Sequence, residues 1–144
     1  PMAGTKARPR PIVIHGITHA HAALAAARAL DVPVTLLSAP GAAAYAGAGW
    51  FDQVVKLAAA DHPGANWLAV LDCGDRAGDA MAALRHGLKA IRFTGKPGER
   101  ASIEAMARKQ GAQLYKSRAQ ALDLEHEPDA HAACTEFLSS FKTS

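Results

Sequence analysis

Five short apolar runs, each separated from the next by a stretch of helical periodicity, constrain this chain more than any other feature. Pro11-Ile-Val-Ile-His15 and Val32-Pro-Val-Thr-Leu-Leu-Ser38 come first, followed by Trp67-Leu-Ala-Val-Leu71, Leu88-Lys-Ala-Ile-Arg-Phe-Thr94 and Ala112-Gln-Leu-Tyr-Lys116. Runs of this length, β-branched and bounded by Gly, Pro or Asp, read as buried strands. The intervening segments carry one apolar face each. Thr18 is placed to cap the first helix, which runs to about Leu30. Phe51, Val54, Val55 and Ala58 then recur at i, i+3, i+4 and i+7. Ala77, Ala80, Met81 and Leu84 mark a helix that Gly87 can close, and Ile103, Met106 and Ala107 mark one ending at Gly111. Ser117 can cap a short helix, and after Pro128 the residues Cys134, Phe137, Leu138 and Phe141 form a last apolar face.

Strands separated by helices need crossover connections, and crossovers make a parallel sheet of right-handed units. The expectation is a single α/β domain: a mostly parallel sheet of about five strands with crossover helices. Two wirings fit, a flavodoxin-like doubly wound sheet or half of a β/α barrel. Alanine, about a quarter of the chain, permits close helix approach in either.

Composition narrows the class of function. With 144 residues the chain can bury a real core, and 49% apolar against 20% charged residues is a globular balance. No run approaches the ~20 apolar residues of a membrane span, and PMAGTKARPRP has no apolar leader core, so a cytoplasmic protein is expected. The net charge of +3 comes from Lys6, Arg8 and Arg10, in a basic tail (residues 1–10) read as flexible, ahead of the domain at 11–144. The rest of the chain balances, so nucleic acid is not an expected partner. Cys73 and Cys134 belong to no CxxC or CxxxH pair and read as reduced thiols.

Ligands of parallel sheets bind at the carboxyl ends of the strands. Those ends carry His15, Ser38, Asp72-Cys73-Gly74-Asp75, Thr94-Gly95-Lys96 and Lys116. Asp72, ending a buried strand, is the candidate acid–base carboxylate, set against a plain reading in which it bonds loop amides. Asp75 suits ligand binding or a helix cap. Cys73 stands near a helix start, where thiolates are stabilised. His15 is the preferred general base. Lys96, in TGKPGE, suits steering of an anion, with Gly95 offering an amide and Thr94 a hydroxyl. Ser38 completes the polar rim. His15, His19 and Asp72 form only a weak cation set, and no metal is expected. There is no GxGxxG, GxxxxGK[ST] or GxSxG, which removes dinucleotide, P-loop and α/β-hydrolase chemistry.

VLDCGD, AALRHGLKAIRFTG and IEAMARKQGAQL, spanning about a third of the chain, resemble consecutive units of aldolase-type β/α barrels. That resemblance implies lyase or isomerase chemistry on a small, often phosphorylated, carbonyl compound. A Schiff-base lysine in such barrels lies within a strand, whereas Lys96 lies just beyond one. Asp72, Thr94 and Lys116 also resemble the phosphoacceptor, switch hydroxyl and lysine of a response-regulator receiver. His15-Gly16 stands where receivers carry an acidic pair for magnesium, so the receiver resemblance implies a degenerate, non-catalytic module.

Two classes of function therefore stay open. One is a domain binding a small anionic metabolite, phosphorylated or carboxylated, at its strand ends. Its catalytic form is a lyase or isomerase using Asp72, His15 and Lys96, of unknown cofactor. The other is a receiver-like interaction or self-association module, and a homo-oligomer is expected in either case.

Overall fold

The computed structural model describes residues 10–116, 118 and 120–142, with no side-chain description for 141 and 142. Residues 1–9 of the basic tail, the expected cap Ser117 and the Phe141 side chain lie outside the described residues.

Ile12, Val13 and Ile14 are all buried, as in a strand covered on both faces, and form β1 (Ile12–Ile14). The first helix, α1 (Ile17–Leu30), buries Ala20, Ala23, Leu24 and Ala27, one face at helical spacing. Its N-cap is Gly16, in extended conformation and without a side-chain bond, so Thr18 sits inside the first turn and is not the cap. At the other end Asp31 adopts a left-handed conformation, and its N–H donates to the Ala27 and Arg28 carbonyls. All five residues of β2 (Val34–Ser38) are buried.

The small-residue stretch that follows folds into a short α2 (Ala42–Tyr45) and the first turn of α3 (Gly47–Ala60). Phe51, Val55 and Ala58 supply the buried face of α3. β3 (Trp67–Asp72) buries its last three residues. α4 (Ala77–His86) ends at Gly87, whose φ of 103° disfavours a side chain. β4 (Ala90–Arg92) leads to α5 (Pro97–Lys109), where Pro97 stands at the start and no intrahelical N–H is needed. β5 (Gln113–Leu114) is two residues long, as is an additional strand, β6 (Leu122–Asp123), before α6 (Ala130–Lys142).

The sheet thus has six strands, one more than expected, in the order β5-β4-β3-β2-β1-β6. The pairings of β1 with β6, β3 with β4 and β4 with β5 are parallel. β6 escapes the periodicity argument because two residues carry no period. It exists through its partner: Leu122 N–H donates to Pro11 O and Leu124 N–H to Val13 O. From β1 to β5 the spatial order follows the chain, as barrel staves do, whereas a flavodoxin-like sheet or a receiver runs 2-1-3-4-5. This wiring gives the receiver resemblance no support.

Among the described residues the chain divides into two compact units, one of residues 10–36, 54–68, 118 and 120–142, the other of 37–53 and 69–116. In the first, α1 packs against α6, and Leu24, Cys134 and Leu138 are fully buried. Arg10, expected in the flexible tail, lays its guanidinium over the Phe137 ring, 4.7 Å from its centre. In the second, α4 packs against α5 over a core that includes Leu71, Leu84, Ile91 and Ile103. No helix among the described residues is long and apolar enough to cross a membrane.

Candidate functional site

Asp72, at the end of β3, is 2% exposed and organises the strand ends of the second unit. Its Oδ1 accepts from the Gly41 N–H at 3.0 Å and the Gly74 N–H at 2.8 Å. Arg92, ending β4, brings Nη1 to 3.3 Å from Oδ2. The Asp72 N–H donates to Ser38 Oγ at 2.8 Å, and that hydroxyl donates to Ala39 O. Gly74 links the cluster onward, because its carbonyl accepts the Thr94 N–H at 2.8 Å. A buried carboxylate needs compensation of this kind, and Asp72 has it from two amides and a guanidinium. Asp72 and Ser38 therefore tie three strand ends together.

Beside this anchor lies a pocket of about 180 Å³ at the carboxyl ends of β4 and β5. Arg92, Thr94, Arg100, Tyr115 and Lys116 line it, with the Phe93 ring and Leu114. Three cations and no carboxylate face one small volume, so the pocket suits an anion. Arg100, on the first turns of α5, holds its position by donating from Nη2 to Gly95 O at 3.1 Å. Gly95 is required here: a Cβ at that position would stand 2.2 Å from Phe93 Cζ. Lys96 is exposed at the N-cap of α5 and is not among the lining residues. Sequence reasoning had no signal for Arg92 and Arg100 beyond their closeness in sequence to Thr94. Lys116 was visible as a strand end.

Cys73 points away from such chemistry. It is 1% exposed, its Sγ donates to Leu71 O at 3.7 Å, and burial, reinforced by Asp72 and Asp79, pushes the thiol up to about 12. A thiol in that environment stays protonated at neutral pH. Asp75 is exposed in the turn before α4, and the N-cap there is Arg76, which has no side-chain cap bond. The capping role expected of Asp75 is therefore not made; Arg76 instead pairs with Asp79 at 2.7 Å.

His15 belongs to the first unit, and Asp72 and Thr94 to the second. Its partner is one the sequence did not offer. His15 Nε2 donates to Asp123 Oδ1 at 2.7 Å, joining the ends of β1 and β6 across 108 residues of sequence. That bond orients the ring and leaves Nδ1 able to take a proton, the arrangement of a base held by a carboxylate. The Glu125 N–H also donates to Asp123 Oδ1, at 2.9 Å. Burial works to raise the Asp123 carboxyl, but the Glu125 amide and the His15 ring, with Arg118, hold it below the usual range. His19 accepts the His15 N–H on Nδ1 at 3.0 Å. Burial, and then the neighbouring His15, lower its pKa against the opposing pull of Asp123.

His15, Asp123 and Glu125 present ligand atoms within 4.8 Å of one another, so a cation has a donor set here that differs from the expected His15, His19 and Asp72.

No family model matches this sequence, and no curated protein does. Among solved structures, the chain is similar to a "putative fructose-1,6-biphosphate aldolase from Coccidioides immitis", with a TM-score of 0.61 and 17% identity. The similarity covers 76% of this chain but 40% of that one, so this chain spans well under half of the matched protein's length. At that identity the likeness shows fold alone: a parallel α/β arrangement shared with an aldolase-named protein, in line with the barrel-unit resemblance of the central segments.

Proposed function

We propose that this chain binds a small phosphorylated or carboxylated metabolite at the carboxyl ends of β4 and β5. The observation that carries the reading is the convergence of Arg92, Arg100 and Lys116 on one pocket of about 180 Å³ with no carboxylate in its lining. That volume falls below the ~300–1,000 Å³ of pockets for drug-sized ligands, so the occupant is a compact anion. Steering of the anion passes from Lys96 to Arg100 and Lys116, while Thr94 offers a hydroxyl and Asp72 holds Arg92 in place.

The catalytic form of this reading is a lyase or isomerase, in keeping with the aldolase-like fold. The binding test is a thermal-shift series with inorganic phosphate, triose phosphates and dicarboxylates, because a ligand of the folded state raises the melting temperature. The Arg100→Gln and Lys116→Gln variants should lose that stabilisation. Absence of any anion effect, or an undiminished effect in both variants, removes the proposal.

Self-association is the second reading. Tyr45 is 72% and Trp50 43% exposed, large apolar groups that a second copy would cover. Sedimentation of wild type against a Trp50→Ser variant tests it, with a monomer at all concentrations counting against it.

A further inference from the structure

We infer that a second groove, within the first unit and apart from the anion pocket, binds a divalent transition ion of the zinc class. The groove has a volume of about 610 Å³, and His21, Asp61, His62, Asp129 and His131 line it. It gathers three of the seven histidines of the chain from three separate places: α1, the turn after α3 and the first turn of α6.

The spacing of the first two rings fits a shared ion. His21 Nδ1 and His62 Nε2 are 3.1 Å apart. Two imidazole nitrogens on one tetrahedral zinc, each at ~2.0–2.1 Å, stand ~3.3–3.4 Å from each other. A shift of a few tenths of an ångström therefore converts the present hydrogen-bonded pair into two ligands of one metal. The rings meet at 65° with centroids 5.3 Å apart, so the contact is edgewise and no stacking has to be broken.

Carboxylates stand close to these rings. Metal-bound histidines commonly direct their second nitrogen at a carboxylate, which fixes the ring and raises its basicity. On the far side of His21, Nε2 faces Asp61 Oδ2 at 3.9 Å. The third nitrogen is assigned to His131, which lines the same groove. The N-terminus of α6 opposes a cation. Asp129 caps that terminus, accepting the Ala132 N–H at 3.0 Å, and together with Asp61 it brings two negative charges to the groove. An imidazole donor set selects zinc, nickel, copper or cobalt over magnesium and calcium.

The test is zinc titration of the full chain by calorimetry, repeated with cobalt, whose visible absorption reports tetrahedral coordination. One ion in this groove is expected, and it persists in His15→Ala. His62→Ala and His21→Ala should each weaken zinc at least tenfold and abolish the cobalt band. Asp61→Asn should cost about tenfold, the usual effect of losing a supporting carboxylate. His15→Ala should leave affinity unchanged, which separates this groove from the His15, Asp123 and Glu125 set. Unchanged melting of the metal-free variants establishes that they fold. No zinc uptake by wild type, undiminished affinity in His62→Ala, or loss of binding in His15→Ala would each overturn the assignment.

Discussion

Replacing Asp72 by asparagine tests whether the strand ends of the second unit are held by charge. The substitution conserves shape and one acceptor oxygen. With that oxygen kept on the Gly41 and Gly74 amides, the new NH₂ group faces Arg92 Nη1 across the former 3.3 Å contact, donor against donor. Breaking one side of a buried ion pair costs ~3–5 kcal/mol. Here the guanidinium is 20% exposed and can recover part of its hydration, which brings the expected loss down to ~2–3 kcal/mol. For a chain of this size that corresponds to a fall of about 6–9 °C in melting temperature.

Asp72→Ala removes the acceptor of both loop amides as well. At about 1 kcal/mol for each half-buried amide, its total rises to ~4–5 kcal/mol. Urea unfolding followed by far-UV circular dichroism measures both, with a constant m-value as the check that only stability changed. The cycle with Arg92→Met isolates the pair, because Asp72→Asn should cost little once the guanidinium is gone. A loss below ~0.5 kcal/mol for Asp72→Asn, the level of an ordinary surface change, would refute the anchoring argument.

Further outcomes follow from other contacts. Gly95→Ala forces a methyl to within 2.2 Å of Phe93 Cζ and should destabilise by ~1–3 kcal/mol, as overpacking does, with Phe93→Leu restoring most of the loss in the double variant. The folded-state pKa of His19 lies below its ordinary value, so the stability it carries is present above the unfolded pKa and lost as pH falls through the folded one. Melting temperature should therefore decline on acidification from neutral pH, and His15→Gln should move the His19 imidazole resonance titration upward. Asp123 is also depressed and has the same sign in the acid range: its contribution is present above the usual carboxylate pKa and disappears as pH falls below it. The thiols of Cys73 and Cys134, both pushed up to about 12, should resist a thiol reagent at neutral pH until denaturant exposes them. Rapid labelling of the native chain would contradict their burial.

Legibility differed by scale. Gly87 was readable as a helix end because a left-handed backbone position selects glycine through local sterics alone. Thr18 was misplaced as a cap by two positions and Asp75 by one, because capping depends on where the first helical turn starts. For Asp72 both of its possible roles were on view beforehand, acid–base group or acceptor of loop amides. The bonds from Gly41 and Gly74 now favour the second.

Hydrophobic periodicity acts between residues a few positions apart, so the alternation of strands and helices, and the polar character of the strand ends, were settled by the chain itself. Meetings between distant residues were not. The bond from His15 to Asp123 depends on β6 pairing beside β1, and the approach of Arg92 to Asp72 depends on the register that sets Asp72 opposite Arg92. Local pattern specifies which face of each element is apolar. Only strand order and register decide which polar ends become neighbours.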